Sequence, residues 1–230
     1  MENEKNEAGP RMRTRDAAAT RRRLLEVAER HFVGKGYDAS RVDEIATEAG
    51  INKRMIYAYF GDKEGLYLAV LRTNLERALD AVRLAAPLPA DPRERAVVLI
   101  RRFFSFLGEN PAFVRLATWE TLLYGRRAGR VLHETLGAAL EQLHLVLEQG
   151  KREGVYRPDL DVRKVTHSVS ALCLTFFAQR EFLEALWKED LGAASAREEM
   201  LAHILRLVFE GIDAREPAGA QAPARPGDGQ

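Results

Sequence analysis

The strongest constraint on this chain comes from three residues, Gly50-Ile51-Asn52. They separate two stretches of helical periodicity, Arg41–Ala49 and Lys53–Tyr59, each too short to be stable alone. Gly50 is a helix stop and Asn52 an N-cap, so the chain turns within three residues and packs one helix on the other. Ile45, Ala46, Ala49, Ile51, Ile56 and Phe60 are the apolar side chains available for that contact. Burying Ile56 and Phe60, an i,i+4 pair, leaves Lys53, Arg54, Tyr57 and Ala58 facing outward. The spacing predicts a helix-turn-helix whose second helix presents a cationic, phenolic face at its positive dipole end. Such a face suits the major groove, where long donors reach guanine edges and phosphates and a Tyr hydroxyl reaches backbone oxygens. Lys63, in the first turn of the next helix, adds a phosphate contact.

The rest of the chain is punctuated in the same way, and no convincing strand occurs. Leu24, Leu25, Ala28 and Phe32 recur at helical spacing before the stops Gly34 and Gly36. Ser40, with Asp43 three residues on, is expected to cap the helix that follows. Asp62 opens a fourth helix carrying Leu66, Val70, Leu71, Leu75 and Leu79. Asp91-Pro92-Arg93-Glu94 opens a fifth that ends at Gly108, and Asn110-Pro111 restarts in the same manner. A long helix is expected over about Arg127–Arg152. Asp161 caps another, which periodicity extends to Lys188 over about 40 Å. A last helix covers about Ala196–Ile212. The expected fold is all-α: an N-terminal three-helix unit over residues 16–61 and a larger helical bundle over 62–213. Residues 1–15 form a flexible basic arm. Residues 214–230, of which eleven are Ala, Pro or Gly, form a disordered tail.

Composition narrows the function classes. The 230 residues are 46% apolar and 30% charged, with 35 Lys+Arg against 34 Asp+Glu, which is the balance of a globular protein. Against that near-neutral total, the segment Arg11–Lys35 holds eight basic residues and three acidic ones, beside the helix-turn-helix. The longest stretch free of Asp, Glu, Lys and Arg, Val165–Gln179, is 15 residues, short of the roughly 20 a membrane span needs. With no apolar run near the N-terminus, no secretory signal is expected, and the chain is placed in the cytoplasm, at the nucleoid. Cys173 is the only cysteine, which excludes a disulfide within the chain and a Cys-based zinc site. Glu141-x-x-His144 has the spacing of bundle metal sites but lacks the second copy they require. Gly34-Lys35-Gly36 follows no strand, so it is no phosphate loop. No nucleophile–base arrangement has supporting context, and neither an enzyme, a cofactor nor a metal is expected.

Thr20 through Phe32, the Gly34-Lys35-Gly36-Tyr37 turn, and Val42 through Leu68 resemble the tetracycline-repressor (TetR) family. The densest match runs through Ile45-Ala46, Ala49-Gly50-Ile51-Asn52-Lys53 and Ile56-Tyr57-Ala58-Tyr59-Phe60-Gly61-Asp62-Lys63-Glu64-Gly65-Leu66. The resemblance covers about residues 16–70. It implies a ligand-responsive transcriptional regulator, a homodimer on a double-stranded, pseudo-palindromic operator, with ligand binding and dimerisation assigned to residues 62–213. Lys53, Tyr57, Tyr59 and Lys63 stand where the family contacts operator DNA, and Arg21 and Arg41 where phosphate contacts are common. Asn52 and Arg54 complete the DNA-facing set. Arg54 replaces a small residue, Ala58 an aromatic and Tyr59 a His, so no operator sequence carries over. The two last helices resemble the family's dimerising four-helix bundle, and the helix from Asp62 is the expected lever between the two parts. Phe103, Phe104, Trp119, Tyr124, His167, Phe176 and Phe177 supply aromatic surface for a small apolar or aromatic effector, although such residues also build cores. The rival reading is an all-α enzyme or metal carrier with an incidental basic N-terminus.

Overall fold

The computed structural model describes residues 10–83, 87–120 and 129–213. Among them the elements are α1 (Pro10–Ala39), α2 (Val42–Ala49), α3 (Lys53–Phe60), α4 (Lys63–Arg83), α5 (Pro92–Glu109), α6 (Pro111–Trp119), α7 (Gly129–Arg152), α8 (Val162–Ala178), α9 (Arg180–Trp187) and α10 (Ala194–Ile212). The one β-type contact among the described residues is an isolated bridge between Tyr156 and Asp213.

The caps explain most boundaries. Gly50 ends α2 in the left-handed region at φ 65°, returning its N–H to the carbonyls of Ala46 and Thr47. The Asn52 side chain accepts from the Arg54 N–H at 2.9 Å and starts α3. The Asp62 carboxylate accepts from the Gly65 N–H at 2.7 Å, Asp91 from Glu94 at 2.7 Å and Asp161 from Lys164 at 3.2 Å.

Four expectations are corrected. Ser40 does not cap α2: it is buried, and its hydroxyl donates to the Gly36 carbonyl at 2.6 Å, in the bend where Gly36 leaves helical geometry at φ 74°. Arg41 takes the cap position, without a side-chain bond. Asn110 likewise turns back, its amide donating to the Phe106 carbonyl at 2.8 Å, so α6 starts on Pro111 alone. The helix expected from Asp161 to Lys188 is broken at Gln179 into α8 and α9. The bend lets Phe176 and Phe177 pack on Phe104 while α9, which buries none of its residues, takes a new direction. Finally, α1 begins at Pro10, so residues 10–15 of the expected flexible arm are helical, while residues 1–9 lie outside the described residues.

One apolar core runs from Leu24, Phe32, Ile45 and Ile56 through Leu66 and Tyr67 into Leu107, Leu116, Leu147 and Phe209. The N-terminal unit is therefore fused to the bundle. α1 packs on both α4 and α6, and α4 packs on α5 and α7. At the junction Phe32, Tyr37 and Tyr67 form an aromatic trio with centroids 4.9–6.1 Å apart. The buried Tyr67 hydroxyl donates to the carboxylate of the fully buried Glu120.

Candidate nucleic-acid interface

The outward face of α3 emerges as its apolar spacing predicts. Ile56 is fully buried between α2 and the core, whereas Arg54, Ala58 and Tyr57 are exposed, Tyr57 by 45%. The Arg54 guanidinium has no partner among the described residues, and its N–H is held by Asn52, which is also exposed. Lys53 is half-buried because its ammonium pairs with Asp43 of α2 at 2.7 Å and lies 6.0 Å from the Tyr57 ring. The hydrogen bond to Asp43, ahead of the Coulomb attraction, holds the Lys53 ammonium above its ordinary pKa. An exposed pair of this kind contributes little to stability, so another anion can take the place of Asp43.

Two of the other cations are also tethered. Arg21 of α1 lies over the Phe60 ring, 5.2 Å from its centroid, and joins α1 to the end of α3. Lys63 donates to the Asp38 carbonyl at 3.2 Å and stands 4.5 Å over Tyr37. Arg41 is exposed at the start of α2. Tyr59 is half-buried, edge-on to Phe60 at 6.1 Å, so part of its ring belongs to the packing between helices.

A polar clasp behind α2 was not anticipated. His31 of α1, buried, approaches Glu48 of α2 at 2.8 Å, while Arg30 bonds the same carboxylate at 2.7 Å and Lys35 reaches Glu44 at 2.7 Å. The hydrogen bond from Arg30, then that from His31, holds the Glu48 carboxyl below its usual pKa. Lys35 does the same for Glu44. Three α1 side chains thus grip two carboxylates one turn apart on α2 and fix its angle. The i,i+4 spacing of Glu44 and Glu48 was the available sequence signal.

The aromatic set of the larger part divides. Phe104 and Phe176 are core residues, stacked at 5.7 Å, and half-buried Phe103 packs against that core. Trp119 and Phe177 instead line a cavity of about 390 Å³. His167 is exposed, on the side of α8 away from buried Val162, Thr166, Val169 and Cys173, and so lines no core or cavity described here. Tyr124 lies outside the described residues.

Residues 24–70 match the bacterial regulatory proteins of the tetR family, and residues 92–208 match the tetracyclin repressor-like C-terminal domain. The chain belongs to the TetR family. Among its relatives, the HTH-type transcriptional repressor NicS of Pseudomonas putida is 29% identical over 206 residues, 87% of this chain and 96% of that protein. The HTH-type transcriptional repressor KstR2 of Mycobacterium tuberculosis is 30% identical over 197 residues, 82% of this chain and 90% of its own. The solved structure of that ketosteroid transcriptional regulator superposes with a TM-score of 0.60 at 26% identity, covering 85% of this chain and 95% of the other. As a TetR-family member the protein is a DNA-binding transcriptional regulator, not an enzyme, and its family acts as dimers on DNA operators. Among the described residues no helix is long and apolar enough to cross a membrane.

Proposed function

We propose that this TetR-family protein is a ligand-released repressor that acts in the cytoplasm as a homodimer on a pseudo-palindromic operator. The observation that carries the reading is the α3 face. Arg54, with no partner among the described residues, and exposed Tyr57 stand on a helix anchored by buried Ile56, with Lys53 held by an exposed ion pair beside the Tyr57 ring. In this reading α3 enters the major groove, with Lys53 and Arg54 on base edges or phosphates and Tyr57 on the backbone. Arg21, Arg41, Asn52, Tyr59 and Lys63 flank it as backbone contacts and supports.

Dimerisation uses the last helices of the bundle, α8 with α10, which pack side by side and leave Leu172 37% and Leu207 54% exposed. NicS and KstR2 are both repressors, and KstR2 is a ketosteroid regulator, which supports repression here and a small effector with an apolar body. An effector releases DNA only by its differential affinity for two dimer geometries. A coupling of about 1–3 kcal/mol weakens operator binding roughly 5–150-fold.

Sedimentation and operator titration of the same sample test this. Wild type sediments as a dimer and protects two half-sites about one helical turn or a small multiple apart. Leu172→Glu with Leu207→Glu yields a monomer that protects neither. A wild-type monomer that binds operator at full strength would sink the proposal.

A further inference from the structure

The cavity of about 390 Å³ does not lie in the middle of the bundle. It sits in the seam between the DNA-binding unit and the bundle. Val33 and Gly34 of α1 form one wall, the α5–α6 corner another, and the α8–α9 corner the third. Its size falls in the range of small-molecule sites. Two aromatic rings, Trp119 and Phe177, remain partly open within it, Trp119 by 37%. Gly108 keeps the floor close. A Cβ there would come within 3.2 Å of the Phe177 ring and of the Arg197 guanidinium.

The rim is charged, and its pairing is loose. Arg115 of α6 meets Glu181 of α9 through one contact at 3.3 Å, the two side chains 57% and 78% exposed. Arg180 is 3.6 Å from Glu184. Exposed single-contact pairs are among the weakest in proteins, whereas a carboxylate tied to a buried apolar body can engage a guanidinium through two parallel bonds. The cavity therefore has a largely apolar lining and guanidiniums whose present partners are easily replaced.

We propose that this seam binds amphiphilic monocarboxylates. The alkyl or aryl body lies between Trp119 and Phe177, and the carboxylate takes Glu181's place on Arg115. The seam also touches the element that aims the DNA-binding helices. A Cβ on Gly36 would lie 3.9 Å from the Trp119 ring, and Gly36, at φ 74°, is the bend through which the chain leaves α1 for α2. A ligand that displaces the indole acts on that bend directly, with no need of the α4 lever. This rests on the ligand-release reading for its consequence, but not for the binding itself.

The test uses the full-length Trp187→Phe protein, in which Trp119 is the only indole of the two in the chain. Its emission is titrated with octanoate, 4-phenylbutyrate and octan-1-ol, without DNA. Both acids are expected to give saturable changes at affinities about tenfold tighter than the alcohol. Arg115→Gln should weaken the acids about tenfold and leave the alcohol unaffected. Glu181→Gln, which removes the competing carboxylate, should tighten them about two- to fivefold. No saturable change with either acid, equal affinity for acid and alcohol, or acid binding indifferent to Arg115→Gln would each overturn the proposal. A parallel titration of the footprinted operator in the presence of octanoate separates the two readings. Trp119 responding while operator affinity stays constant keeps the site and rejects ligand release. Operator release without a Trp119 response does the reverse.

Discussion

Asn52 is where the folding of α3 and its contact with DNA can be pulled apart. Its side-chain oxygen accepts the Arg54 N–H at 2.9 Å, and α3 is only 8 residues long, so the cap governs whether the first turn, which bears Lys53 and Arg54, is formed. Replacing Asn52 by Ala removes that bond and should cost about 1 kcal/mol, lowering Tm by roughly 2–4 °C in a protein of this size. Asn52→Asp keeps the cap and adds a charge that favours a helix N-terminus, so its Tm should match or exceed wild type. In the complex, however, the new carboxylate faces phosphate. At about 6 Å and an effective dielectric of about 40, repulsion is about 1.4 kcal/mol, tenfold in affinity for each subunit. Asn52→Ser, capped and neutral, should resemble wild type in both respects. Thermal melts paired with operator titrations at low and moderate salt measure the two effects. If Asn52→Asp binds operator as tightly as wild type at low salt, the N-terminus of α3 does not face DNA and the interface is misassigned.

Lys63→Ala should weaken binding to specific and random DNA alike and reduce the salt slope by about one, as for loss of a phosphate contact. Arg54→Ala should instead relax preference at one operator position, seen by binding to a panel of single-base operator variants. Equal loss on all DNA would assign Arg54 to the backbone. Because Arg30 and His31 hold the Glu48 carboxyl below its usual pKa, its contribution is present above that usual value and is lost as pH falls through the lower, folded one. Melting curves from pH 7 down to pH 3 should therefore fall less steeply for Glu48→Gln than for wild type. Burial pushes the Cys173 thiol up to about 12, so iodoacetamide at pH 8 should label it only when denaturant is added.

What was legible in the sequence was local. Asn52, Asp62, Asp91 and Asp161 are caps whose partner lies two or three residues away, and each forms the bond its position implies. The outward face of α3 follows from Ile56 alone once a helix is granted. What escaped depends on distant partners. Nothing between Arg163 and Lys188 is Gly or Pro, and the break at Gln179 belongs to the packing of Phe176 and Phe177 on Phe104, more than 70 positions earlier. Ser40 looked like a cap because Asp43 follows, but the bend at Gly36 offered its hydroxyl a buried carbonyl instead. The clasp of His31 and Arg30 on Glu48 joins positions 17 and 18 apart, beyond any helical register. His167 sits in an apolar run, and only the packing of α8 shows that its own side is turned to solvent.

The bond from Tyr67 to Glu120, with Phe32 and Tyr37 stacked beside it, has a consequence for how such a regulator can be altered. A headpiece cut away within α4, after Tyr67, would expose that phenol and take from the fully buried Glu120 the hydroxyl it accepts, so neither half is a module to be grafted elsewhere. Hybrids joined within α4 inherit a mismatched seam, whereas those that exchange both sides of it together keep the seal.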